Sequence, residues 1–350
     1  MRRIALGLVM LWGVSATPAF ASFYDLLTHA RTGDLAGVRA QLLAGEQPDP
    51  FGPGDGYSPL QWAASHDDVE MAQLLLEAGA DPDYRDHNGD RPLLWAADRG
   101  SANVLKLLLA AGSPPNAPDD PYGRTPLMEA ASSHSAEAVT LLLEAGADIA
   151  ALDQSDMTAL HYAAWQGSAE TVQLLIEAGA DPNARTEYLR ETPLHYAAWS
   201  RDGWMVHHLL LAGSEPDARN NDGHTPLWRA VQTNSLQAAQ WLLEGGAMVD
   251  ARGLFERTPL MEAAQQGRVE MAELLLRFGA DPDAVDADGL GMDHFLSIQP
   301  PMEPIDIRDD DTPRKYVIYP PSAAEVAALT ANHSAIRELL RKASGEGAKW

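Results

Sequence analysis

The sequence predicts an all-α solenoid built from repeated helix–turn–helix units. Three observations predict it. A short block recurs along the chain as "YSPLQWAAS" at 57, "RPLLWAADR" at 91, "TPLMEAASS" at 125, "TALHYAAWQ" at 158, "TPLHYAAWS" at 192, "TPLWRAVQT" at 225 and "TPLMEAAQQ" at 258. The position of Pro59 returns at Pro92, Pro126, Ala159, Pro193, Pro226 and Pro259, in steps of 33 or 34 residues. Each block is followed by a leucine-rich segment and a glycine, as in "MAQLLLEAGADPD" and "TVQLLIEAGADPN". A fixed period of this length marks stacked units, none of which can bury its apolar face alone.

Each element of the unit has a physical reason. Thr125 is an N-cap candidate, and Pro126 stands in the first helical turn, where a missing N–H costs nothing. Leu127, Ala130 and Ala131 fall on one face at helical spacing, and the paired alanines let neighbouring helices approach closely. Gly79 closes the second helix, because glycine tolerates the left-handed C-terminal conformation. Asp81-Pro82 then turns the chain away. These blocks resemble the ankyrin repeat, and the chain is similar to exported bacterial members of that family. The resemblance is strong over residues 53–290 and implies hairpin loop, two antiparallel helices and turn, about seven times over, with a cap at each end.

The flanks read differently. Residues 1–21, "MRRIALGLVMLWGVSATPAFA", carry a basic start, a short apolar run and small residues at Ala19 and Ala21. That is a secretory signal with cleavage expected after Ala21. It is too short for a comfortable membrane span. A periplasmic location is expected, with full secretion as the alternative. No membrane span is expected in the mature chain. Residues 22–52 have the two-helix rhythm without the proline block and are expected to cap the array. Residues 291–350 are a divergent final repeat or cap, with a proline-rich acidic insertion near 299–321. Within it "KYVIY" suits a strand or extended arm, and "AAEVAALTANHSAIRELLRKA" reads as two short amphipathic stretches.

Chemistry is mostly excluded. The chain has no cysteine, so thiol nucleophiles and thiolate metal sites are absent. There is no phosphate-binding GxxxxGK[ST] loop, no GxSxG elbow and no HExxH pair. The segment "DAVDADG" at 283 lacks the alternating acids and closing glutamate of a calcium loop. His207 and His208 are adjacent on a helix and point apart. His161 and His195 hold a position that the resemblance assigns to bonding within the stack. No catalytic residue, metal or cofactor is expected. The formal net charge of −25 makes nucleic acid an unsuitable partner.

The candidate site is therefore a surface. The residue after the histidine position and the two after the alanines lie three and four apart and share a helix face. The resemblance places that face in the concave groove of the array. It carries Trp62, Trp95, Tyr162, Trp165, Tyr196 and Trp199. In such arrays the position of Trp62, Trp95, Tyr162 and Tyr196 also packs between repeats, whereas that of Trp165 and Trp199 is usually polar. Arg85, Arg185, Arg219 and Arg252 precede the hairpin loops and form a second candidate surface, with local pairing to Asp86, Glu187, Asp217 and Asp250 as the plain alternative. Tyr122, Tyr188 and Phe255 lie at or near the loop tips. The expected function is non-catalytic binding of a protein, such as a periplasmic enzyme, as scaffold, stabiliser or inhibitor. The alternative is a small ligand such as a glycan stacked on the aromatic groove.

Overall fold

A computed structural model describes residues 26–49, 56–117, 121–200, 203–297, 305–307, 316–318 and 323–344. The proposed signal at 1–21 lies outside the described residues. So does the insertion near 299–321, apart from two short strands.

The chain divides into two compact units, residues 1–121 and 122–350. The first holds α1 (26–31), α2 (Leu35–Leu43), α3 (Pro59–Ser65), α4 (Val69–Glu77), α5 (Pro92–Asp98) and α6 (Ala102–Ala110). Here α3 packs on α5, and α4 packs between α2 and α6. The leading pair α1–α2 is the expected cap, and its Leu26, Ala30 and Val38 are fully buried.

The second unit holds five full helix pairs. They are α7 (Pro126–Ser132) with α8 (Ala136–Glu144), α9 (Ala159–Gln166) with α10 (Ala169–Glu177), and α11 (Pro193–Trp199) with α12 (Trp204–Leu211). α13 (Pro226–Thr233) with α14 (Leu236–Glu244) and α15 (Pro259–Gln265) with α16 (Val269–Arg277) follow. The first helices stack in sequence as one layer and the second helices as another. The seven pairs across both units agree with the seven repeats of the sequence.

Local chemistry sets these bounds. Thr125, Thr225 and Thr258 sit in extended backbone, and their hydroxyls accept a hydrogen bond from the N–H three residues on. Proline occupies the first turn of six of the seven first helices. In α9 Ala159 takes that place. Gly79 has φ +93, the left-handed value its helix end requires. The core between layers is leucine and alanine: Leu60, Ala63 and Ala64 in one repeat, and Leu160, Ala163 and Ala164 in another, are all fully buried.

The C-terminal end is a modified repeat. α17 (Met292–Phe295) packs on α15 in the place of a first helix. The insertion follows, and its β1 (Ile305–Ile307) and β2 (Tyr316–Ile318) pair antiparallel, Ile305 opposite Ile318. The "KYVIY" segment thus supplies a strand. α18 (Ala323–Ala343) then packs on α16 and α15. It is one continuous 21-residue helix, not two short stretches. Nothing in it breaks a helix, and its midpoint is anchored: His333 is buried with Nε2 3.4 Å from the Gln265 carbonyl. His333, Ile336 and Leu340 share one buried stripe.

Candidate functional site

Two aromatic clusters occupy the exposed sides of first helices, one in each unit. In the first unit Trp62 of α3 and Trp95 of α5 meet edge-on at 5.8 Å between centroids. Tyr57 sits 5.8 Å from Trp62 and 4.7 Å from Trp95, and His66 stacks on Trp62 at 6.1 Å. Trp62 and Trp95 are half-buried, so their position serves packing between repeats. Tyr57 was not singled out from sequence, although it directly precedes the Ser58 cap of α3.

In the second unit the cluster spans α9, α11 and α13. Tyr162 and Tyr196 are half-buried. The Tyr162 hydroxyl donates to Asp153 Oδ2 at 2.8 Å. Burial, reinforced by that carboxylate, pushes its ionisation far above the usual phenol range. Burial likewise pushes Tyr196 up to about 12. Both phenols are neutral at any physiological pH.

Trp165 and Trp199 stand further out, 42% and 50% exposed. Each leans on the next repeat. Trp165 lies 6.3 Å from the Tyr196 ring, and the Arg229 guanidinium lies 5.5 Å above the Trp199 ring. Arg229 is held in turn by Glu191: its Nε donates to Glu191 Oε1 at 2.8 Å, and Nη2 donates to the same oxygen. The Asn220 amide donates to that oxygen at 3.2 Å. Glu191 is buried. Glu191 and Asn220 were missed in the sequence because their convergence spans a repeat boundary.

Beneath this face lie the two histidines. His161 Nδ1 accepts the Thr158 N–H at 3.1 Å, and Nε2 reaches the Glu191 carbonyl of the next repeat at 3.3 Å. His195 does the same with the Thr192 N–H at 3.1 Å and the His224 carbonyl at 3.2 Å. Burial lowers both to about 4. With both ring nitrogens engaged in the stack, neither histidine faces a ligand.

The arginines of the second candidate surface form a ladder. Arg185 Nη1 donates to the Arg219 carbonyl at 2.9 Å, Arg219 Nη1 donates to the Arg252 carbonyl, and Arg252 Nη1 donates to the Val285 carbonyl at 2.8 Å. Arg185 also lies 3.6 Å from Glu215 and Arg252 4.0 Å from Glu256. The guanidiniums thus reach the same backbone position one repeat further on; Glu215 and Glu256 are the ion-pair partners of Arg185 and Arg252, and the Arg252 charge also acts on Asp250, the neighbour read from the sequence. Arg85 is exposed in the first unit.

The hairpin tips are fastened in the opposite sense, the later repeat donating to the earlier one. Gln154 N–H donates to the Tyr122 carbonyl at 2.9 Å, Glu187 to Ser155 at 3.3 Å, Asn221 to Leu189 at 2.9 Å and Ala287 to Phe255 at 2.9 Å. Tyr122, Tyr188 and Phe255 are exposed on this row. The Asp286 carboxylate folds its own hairpin, accepting from the Asp288 and Leu290 N–H groups at 3.0 and 2.9 Å. Among the described residues no group of three or more His, Asp or Glu is placed to hold a metal ion. Among them, too, no helix is long and apolar enough to cross a membrane.

Comparison with known proteins agrees with this architecture. Residues 26–119, 111–186 and 189–286 match the family described as "Ankyrin repeats (3 copies)". A palmitoyltransferase akr1 of Neurospora crassa is 33% identical over 57 residues, 16% of this chain and 8% of that protein. So small a share of the fungal protein carries no activity across to this chain.

Proposed function

Because the chain belongs to the ankyrin-repeat family, whose arrays generally mediate protein–protein interaction, we propose that it binds a client protein without catalysis, through the first-helix face of α9, α11 and α13. The observation that carries this is the pair Trp165 and Trp199. Both are large, half-exposed aromatics held in place from below by the next repeat. Such side chains lose little freedom on binding and bury much apolar area, the profile of an interface hot spot. Tyr162, Tyr196 and Arg229 surround them, and the tip residues Tyr122, Tyr188 and Phe255 extend the surface.

The residue pattern at 1–21 supports export, so the client is sought in the periplasm, and a periplasmic enzyme suits a scaffold, stabiliser or inhibitor. The test is capture from a periplasmic extract with residues 22–350 as bait, beside the Trp165→Ala, Trp199→Ala variant. A protein retained by the first and lost from the second supports this reading. Equal retention by both overturns the assignment of the face. Mass measurement of the exported protein checks that it starts at Ser22.

A second reading rests on a recess of about 400 Å³ lined by Trp199, Ser200, Thr233, Asn234 and Ser235. Its volume suits a small polar ligand such as a glycan. Quenching of tryptophan fluorescence by a glycan panel, lost on Trp199→Ala, would favour it over a protein client.

A further inference from the structure

The repeats provide an internal standard for what a solvent-facing position should hold. On the second helices the same outward position carries Glu70, Glu137, Glu170 and Glu270, and the position seven residues on carries Glu77, Glu144, Glu177 and Glu244. In α12 these two positions are Trp204 and Leu211. Between them, where other repeats have Gln73, Gln173 or Gln240, stands His207. The spacing i, i+3, i+7 puts all three on one stripe. Solvent reaches that stripe: Trp204 is 50% exposed and Leu211 74%.

The neighbouring helix widens it. Trp241 of α14 replaces the leucine found at 74, 141, 174 and 274. It lies 5.4 Å from Trp204 and 4.2 Å from His207, ring to ring. A recess of about 400 Å³ beside it is lined by His207, Leu211, Trp241 and Glu244, among others. α12 lies between α10 and α14, which keep the exposed acids Glu170, Glu177 and Glu244. The result is an apolar centre with an acidic rim, on a layer that the first-helix site does not use.

The geometry points to a second docking surface here, for a protein segment that is amphipathic and basic: apolar side chains for the Trp204–Leu211 stripe, flanked by Lys or Arg for the glutamate rim. Charge complementarity selects this occupant. A second copy of this chain would bring a like field of net charge −25 and the same glutamates to the same rim.

The test uses residues 22–350 at physiological salt. The probes are a synthetic amphipathic helix of leucine and lysine and a twin with glutamate for lysine. The decisive variant is Trp204→Glu with Leu211→Glu, which restores residues the other repeats already hold and so should fold, as circular dichroism checks. It adds two negative charges, so electrostatic attraction alone would tighten the basic probe. The surface predicts the reverse, a loss of about tenfold or more, corresponding to ~1.4 kcal/mol. Trp165→Ala with Trp199→Ala should leave that affinity unchanged. Unchanged or tighter binding by the glutamate variant overturns the inference, as does equal binding of the acidic twin. Sedimentation showing a dimer that the glutamate variant abolishes would assign the stripe to a second copy and overturn it too.

Discussion

Single residues show where this array obeys its own rules and where it departs from them. Ala159 is the exception in the proline column. Its predecessor Thr158 has φ −93 and ψ 169, extended backbone that tolerates a following proline. Ala159→Pro should therefore stabilise the protein by about 0.4–1 kcal/mol, chiefly by restricting the unfolded chain, as urea denaturation would show. The two buried histidines set a pH dependence. In the folded protein they titrate at about 4, below the ordinary histidine near 6.5. On acidification the unfolded chain takes up protons first. The stabilisation is full above about pH 6.5 and is lost as pH falls toward 4, on the order of 3 kcal/mol per histidine. Gln61 fills the same position in the first unit, where its Oε1 accepts the Ser58 N–H at 2.7 Å and its amide donates to Asp86 at 3.0 Å. His161→Gln with His195→Gln should keep the fold and flatten stability between pH 7 and 5. An unchanged slope would place the titration elsewhere.

At the scale of elements, what matters is how one repeat is joined to the next. Glu191 lies before α11 and Arg229 on α13; the carboxylate is buried, the guanidinium half-buried, and their pair also positions Trp199. Removing Glu191 leaves the guanidinium with its bond to Gln232 Oε1 at 3.1 Å and no carboxylate. Glu191→Ala should lower stability by about 1–3 kcal/mol, measured by denaturation. It should also weaken any ligand that depends on Trp199. Close approach is as specific elsewhere: a Cβ on Gly253 would fall 2.7 Å from the His224 ring, which stacks on buried Trp228. These joints explain what the sequence hid. Helix pairs, caps and turns are local and periodic, so they could be read off directly. The carbonyl that each arginine reaches lies 33 or 34 residues away and leaves no side-chain signature. The arginines could therefore be seen, but not what they bind.

For the molecule as a whole, the stack is stable only while its end faces are covered. α18 covers α16 with Ile336 and Leu340, which are fully buried. Truncation after Ser297 should expose that face, lower the melting temperature and speed amide exchange first in α15 and α16. Exchange confined instead to the first unit would contradict this. The number of repeats and the face carrying the aromatics were legible because periodicity fixes them. Trp165 and Trp199 stood out because they break a polar column. The α12 stripe, which breaks a charged one, lay in the same letters. It becomes a surface only once burial shows that Trp204 and Leu211 face outward. The arginine ladder has a further consequence, because it points one way. Arg185, Arg219 and Arg252 each reach forward to a residue made later. Each of these three bonds therefore needs two adjacent repeats to be in place, so no single repeat can make it alone.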